Sequence, residues 1–194
     1  MFDPRGPVLG VDPGLSRCGY GAVAGRGRDT RAVAYGVIAT APADPLPERL
    51  AQLASELDAL VAELRPSALA VERVLFQNNA RTAISVGQAS GLALVAAARV
   101  GIPVTQYSPN EVKLAVAGHG GADKEQVQLM VTRLLHLGEV PRPPDAADAL
   151  ALALCHQWAA PLHGRIADAS ERTPAPASSG YDRAVAAALA KDTR

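Results

Sequence analysis

Ala68-Leu69-Ala70-Val71-Glu72-Arg73-Val74 is the stretch that decides the fold. It is short and apolar and holds neither glycine nor proline, so it reads as a strand buried on both faces. A helix leads into it. Leu50, Leu53, Leu57, Leu60, Val61 and Leu64 recur at helical spacing, and Pro66 stops them. A strand reached through such a crossover lies parallel to the chain's first strand, so the sheet is mixed.

Upstream, residues 8–11 form an apolar run that closes on Asp12-Pro13-Gly14, a turn signal. Residues 19–24 and 31–40 read as two further strands, joined through Gly25-Arg26-Gly27 into an antiparallel meander. Downstream, a long helix over residues 80–100 contains the small-residue stretch Gly87-Gln88-Ala89-Ser90-Gly91, and residues 103–107 form a fifth strand. Ser108-Pro109-Asn110-Glu111 has a capping-box pattern with proline at the first helical position. Asp123 caps the next helix, with Gln126 three residues on, and a last helix runs from Asp145 to about Ala159. The prediction is an α/β domain over residues 1–160, with a five-stranded mixed sheet flanked by helices on both faces. Residues 161–194, which include Thr173-Pro174-Ala175-Pro176-Ala177-Ser178-Ser179-Gly180, read as a flexible tail.

The chain has 194 residues, enough for one ordinary domain and too few for two α/β lobes. Aromatics are 4% of it, so the core is built from valine, leucine and alanine. No uncharged apolar run approaches the roughly 20 residues of a membrane span, and the start lacks a secretory signal. Cys18 and Cys155 cannot form a disulfide framework. The expectation is a cytoplasmic protein with no membrane partner. Net charge is zero, but Arg73, Arg81, Arg99, Lys113 and Lys124 stand against only Glu111 and Asp123 in the middle of the chain, which points to a local basic surface.

Four acids carry the chemistry. Asp12 and Glu72 fall at the carboxyl ends of neighbouring parallel strands, where open α/β sheets bind ligands. Asp145 and Asp148 project from one face of a helix, where they also suit the dipole of its first turn. Glu72 has no such ordinary role, because an unpaired acid in a buried strand is costly. An anionic, all-oxygen set suits Mg²⁺ or Mn²⁺ rather than zinc. Two such ions can activate water and stabilise the leaving oxygen of a phosphoryl displacement.

The same residues carry a resemblance. Leu9-Gly10-Val11-Asp12-Pro13-Gly14, Ala70-Val71-Glu72-Arg73-Val74, Gly87-Gln88-Ala89, Val112-Lys113, Ala122-Asp123-Lys124-Glu125-Gln126-Val127-Gln128 and Asp145-Ala146-Ala147-Asp148-Ala149-Leu150-Ala151 occur in that order over about residues 7–160. The set resembles the RuvC family of bacterial Holliday-junction endonucleases. That resemblance implies a ribonuclease-H-like fold and a homodimer that pairs through the helix at residues 80–100. It also implies Mg²⁺- or Mn²⁺-dependent nicking of two opposed strands of four-way junction DNA, with two ions per site, in recombination and repair. A branch-migration motor complex is the implied partner. Asp12, Glu72, Asp145 and Asp148 correspond to the acidic tetrad, and Lys113 and Lys124 to basic residues near the scissile phosphate and junction backbone. The family often has a base-stacking aromatic three residues after the tetrad glutamate. Here Leu75 stands there with Phe76 beside it, and either would serve as an apolar wedge. Arg73 and Arg81 are candidate phosphate contacts.

Two rival readings remain at this stage. Asp12-Pro13-Gly14 after a strand also resembles the first phosphate loop of actin-like phosphotransferases, which need a second lobe. A non-catalytic binding module of this fold normally loses one or more acids, and here all four are present. Gly14 and Gly19 read as turn residues, and the four histidines show no metal-binding spacing.

Overall fold

The computed structural model describes residues 6–74 and 80–172, apart from the side chains of 80–82 and 160–172. The elements run β1 (Val8–Asp12), β2 (Arg17–Ala24), β3 (Arg31–Ala39), α1 (Leu46–Leu64), β4 (Ala68–Glu72), α2 (Ala80–Val100), β5 (Val104–Tyr107), α3 (Pro109–Ala117), α4 (Lys124–Leu134) and α5 (Pro144–Arg172). Strand order is β3-β2-β1-β4-β5. The β1–β2 and β2–β3 pairs are antiparallel, whereas β1–β4 and β4–β5 are parallel. The mixed sheet predicted from the crossover is the one observed.

Alternation along the strands sends side chains to two different layers. Leu9, Val11, Leu69 and Val71 join Leu53, Leu57 and Val61 of α1 and Ala89, Ala93, Ala96 and Ala97 of α2 in one buried cluster. The opposite face is thinner. A methyl group on Gly10 would strike the Ala149 carbonyl oxygen, and one on Gly19 would strike that of Asp145. At Gly21 the same atom would lie 2.7 Å from the Leu150 amide nitrogen. These glycines, of which Gly10 and Gly21 are direct cross-strand partners, let α5 lie almost on the backbone of β1 and β2. Ala146, Ala149 and Ala153, fully buried, form the small face of the helix that meets them. Gly19 therefore serves a close approach inside a strand rather than the turn predicted for it.

Both predicted capping boxes form. The Ser108 hydroxyl accepts from the Glu111 amide while the Glu111 carboxylate accepts from the Ser108 amide, at 3.3 and 2.7 Å. Asp123 and Gln126 repeat the pattern at 2.8 and 3.1 Å. These boxes fix the first turns of α3 and α4, and with them the positions of Lys113 and Lys124.

By internal contacts the chain divides into two units, Met1–Trp158 and Ala159–Arg194. Helical backbone runs on to Arg172, past the end predicted near Ala159. Pro161 does not end the helix: a single proline costs a helix one hydrogen bond, and Leu162, Arg165, Ile166, Ala167 and Ala169 after it are adequate helix formers. Ala83–Val100 of α2 has the length and apolar character of a membrane-crossing helix. Its alanine face is nevertheless packed into the core.

Candidate active site

Asp12 lies two residues beyond Gly10 and so projects from the same face of the sheet, towards α5. Glu72 bears the same relation to Ala70, the β4 partner of Gly10. The parallel register, with Val11 beside Val71, brings the two strand ends together. Because the glycine seam holds the first turns of α5 against β1 and β2, Asp148 is delivered to the same place. Asp12, Glu72 and Asp148 line one cleft of about 360 Å³, with Lys113 of α3 and Lys124 of α4 on its far wall.

The fourth acid lies just outside that lining. Among the described residues Asp145 Oδ2 is buried with no hydrogen-bond partner, and the Arg17 Nε stands 3.4 Å away. Asp148 Oδ2 is closer to its cation, with Lys124 Nζ at 2.6 Å.

These acids are crowded and partly buried. Burial, then the charges of Glu72 and Asp148, then a hydrogen bond with Glu72 and the charge of Asp145 push the Asp12 carboxyl up to about 8. Glu72 is also raised, mainly by burial, although the hydrogen bond from Asp12 opposes this. The two carboxyls are raised together, so the proton they take up belongs to the pair rather than to either residue. Burial raises Asp148 too, against the opposing pull of Lys124. Lys124 is pulled down by burial, but its hydrogen bond to Asp148 and the charges of Asp148, Asp12 and Asp145 outweigh that and raise it.

Among the described residues no three acidic, histidine or cysteine side chains are already disposed as a metal cage. Each acid leans on something internal: Asp12 and Glu72 on a shared proton, Asp148 on Lys124, Asp145 on Arg17. The residues nonetheless fit a divalent cation. The donors are all oxygen, one buried Asp145 oxygen has no hydrogen-bond partner among the described residues, and burial favours a proton on Asp12 where a cation would serve as well.

Other predicted residues fall differently. Arg73 is exposed, its Nη2 donating to the Gln106 carbonyl at 3.1 Å, and it does not line the cleft. Leu75, Phe76 and the Arg81 side chain lie outside the described residues. His119 is exposed in the glycine loop, and Cys18 and Cys155 are buried free thiols.

Two features escaped sequence reasoning. Arg17 was not singled out, since a lone arginine after a turn carries no motif. Tyr107, which pairs with Glu72 across β4–β5, bonds through its hydroxyl to Nδ1 of buried His156 at 3.0 Å. That contact ties β5 to α5 behind the cleft, and only the fold brings its two residues together.

The family profile for Crossover junction endodeoxyribonuclease RuvC matches residues 8–156. A protein of that description from Salinispora arenicola is 57% identical over 166 residues, covering 85% of this chain and 95% of the relative. A solved structure of T. thermophilus RuvC in complex with Holliday junction substrate superposes with a TM-score of 0.77 at 42% identity, covering 81% of this chain and 96% of that one. The yeast mitochondrial Holliday junction resolvase Ydc2, at 15% identity and a TM-score of 0.60, shares the fold. The ordered motifs, the ribonuclease-H-like sheet and these matches agree: the chain belongs to the RuvC family of crossover junction endodeoxyribonucleases.

Proposed function

We propose that this endonuclease resolves four-way DNA junctions by paired nicks at a site whose metal-holding residues are Asp12, Glu72, Asp145 and Asp148. The observation that carries the reading is the meeting of Asp12, Glu72 and Asp148 in one cleft with Lys113 and Lys124. Excess negative charge alone would repel a phosphodiester, and the two lysines give the backbone a place to rest. Lys124, exposed and held at the N-terminus of α4, offsets charge on the phosphate as the reaction proceeds. Lys113 steadies the adjoining strand.

Mg²⁺ or Mn²⁺, two per site, is the cofactor proposed; such ions supply an activated water and offset charge on the phosphate oxygens. Partial burial strengthens the interactions of Asp12, Glu72 and Asp148 with a charge placed beside them.

Assembly as a homodimer is part of the proposal. Ile84, at 62% exposure, and Val95, at 47%, flank Gly87 and Gly91 on one face of α2, and added side chains at those glycines would meet open space. A second α2 fits such a small-residue face. Two-fold pairing also matches the near two-fold symmetry of a four-way junction. Work alongside a branch-migration motor, and a cytoplasmic location, complete the picture by resemblance.

The test is incubation of the purified protein with a labelled mobile four-way junction and a matched duplex, with Mg²⁺ or Mn²⁺. The expected result is symmetric nicking of the junction alone. Glu72→Gln and Asp145→Asn should bind the junction yet cut at least about a hundredfold more slowly, the scale of losing a charge-stabilising group. Wild-type rates in both variants would overturn the assignment of the acids.

A further inference from the structure

We infer that Arg17 is a second-side phosphate clamp: it binds the backbone of the substrate strand from the β2 edge, outside the cleft that the two lysines line. The inference rests on the proposed site but adds a residue that neither the motifs nor the resemblance assigned.

The geometry begins with strand order. β2 lies on one flank of β1, whereas β4 and β5 lie on the other, and α3, which carries Lys113, follows β5 in the chain. Lys113 and Lys124 line the cleft with Asp12, Glu72 and Asp148, whereas Arg17 is not part of that lining. Arg17, the first residue of β2, stands on the flank away from β4 and β5. A strand lying over the acids and the lysines can bring its next phosphate to this edge, where Arg17 offers a cation.

Arg17 is free enough to supply it. Its side chain is 62% exposed, and its Nε lies 3.4 Å from Asp145 Oδ2, beyond good hydrogen-bond distance. Its terminal nitrogens make no hydrogen bond among the described residues. A guanidinium has five donors in a fixed fork, so one edge can face Asp145 while the other accepts a phosphate. A residue meant only to neutralise Asp145 would be buried and bonded to it. The backbone beneath is firm. Arg49 donates from Nη2 to the Ser16 hydroxyl at 2.7 Å and from Nε to the Thr40 hydroxyl at 2.9 Å. Thr40 in turn donates to the Leu15 carbonyl at 2.6 Å. The turn that presents Arg17 is thus tied to β3 and α1, and the side chain projects from a fixed base.

The experiment measures affinity for an uncut four-way junction against salt, with Ca²⁺ or no metal, for wild type, Arg17→Ala, Arg17→Lys and Arg99→Ala. Arg99, paired with Asp58 at 2.5 Å on the α1–α2 face, controls for loss of one charge elsewhere. Arg17→Ala should weaken binding by roughly three- to tenfold, evenly across sequences, and reduce the salt slope by about one per bound protomer. Arg17→Lys should restore the slope, and Arg99→Ala should match wild type. Unchanged affinity and slope in Arg17→Ala would overturn the inference, as would an equal effect of Arg99→Ala. Asp148→Asn run beside them separates the two claims. If it is inactive while Arg17→Ala binds normally, only the clamp fails; if it cuts at the wild-type rate, the underlying site assignment fails.

Discussion

Asp12 sets the behaviour of the site at the scale of single residues. Folded, it keeps its proton up to about pH 8; unfolded, it loses it near pH 4. Between those values the unfolded chain binds fewer protons, so stability falls as pH rises. The raised carboxyls of Glu72 and Asp148 act in the same direction. In chelator, the midpoint of thermal unfolding should therefore decline from pH 5 to pH 8, and Asp12→Asn should flatten that decline. Added Mg²⁺ should restore more stability at pH 8 than at pH 5, because it displaces a proton already leaving. A midpoint that climbs across this range in chelator would contradict the shared-proton arrangement. At this scale the sequence names candidate acids and is silent about their protonation. Four acids could be picked out because Glu72 interrupts an apolar strand and Asp145 and Asp148 share a helix face. Which internal partner each one holds depends on distances between elements far apart in the chain, as with Arg17 and Asp145.

Among the elements, α5 matters most, since it brings two of the four acids and is seated by glycines rather than by interlocking side chains. Gly10→Ala would force the Ala149 backbone away from β1. The expected cost is about 1–3 kcal/mol, the usual range for overpacking, together with a loss of cleavage larger than stability alone explains. Denaturant unfolding and single-turnover nicking on the same sample would check this. Near-normal cleavage would show that α5 can be lifted without moving Asp148. The element order was readable because periodicity, caps and turn residues agreed from β1 through α4. The seam was not. Glycine in a strand reads locally as a turn or a weak point, and nothing in Gly10 or Gly21 names the helix more than a hundred residues later that needs the space. The extension of α5 to Arg172 was missed because the Pro/Ala/Ser composition of residues 173–180 coloured the reading of everything after residue 160.

For the whole molecule, the face of α2 bearing Ile84, Gly87, Gly91 and Val95 predicts the assembly state. Val95→Asp should turn a dimer into a monomer in sedimentation at micromolar concentration. It should leave the fold intact, because Val95 is exposed. Junctions would then be nicked on one strand at a time, so resolved products would fall well below single nicks. A Val95→Asp protein that still sedimented as a dimer would move the interface elsewhere.

The glycine seam also bears on the choice of ion. Mg²⁺ accepts oxygen ligands only near 2.0–2.1 Å, whereas Ca²⁺ tolerates longer and looser ones. At Gly10 and Gly21 the α5 backbone lies close against the strands, with Leu150 alone adding side-chain atoms there, so the gap between the strand acids and the helix acids has little compressible material to absorb error. Selection by ionic radius would then be set at Gly10 and Gly21, whose only contribution is a hydrogen atom where every other residue has a carbon.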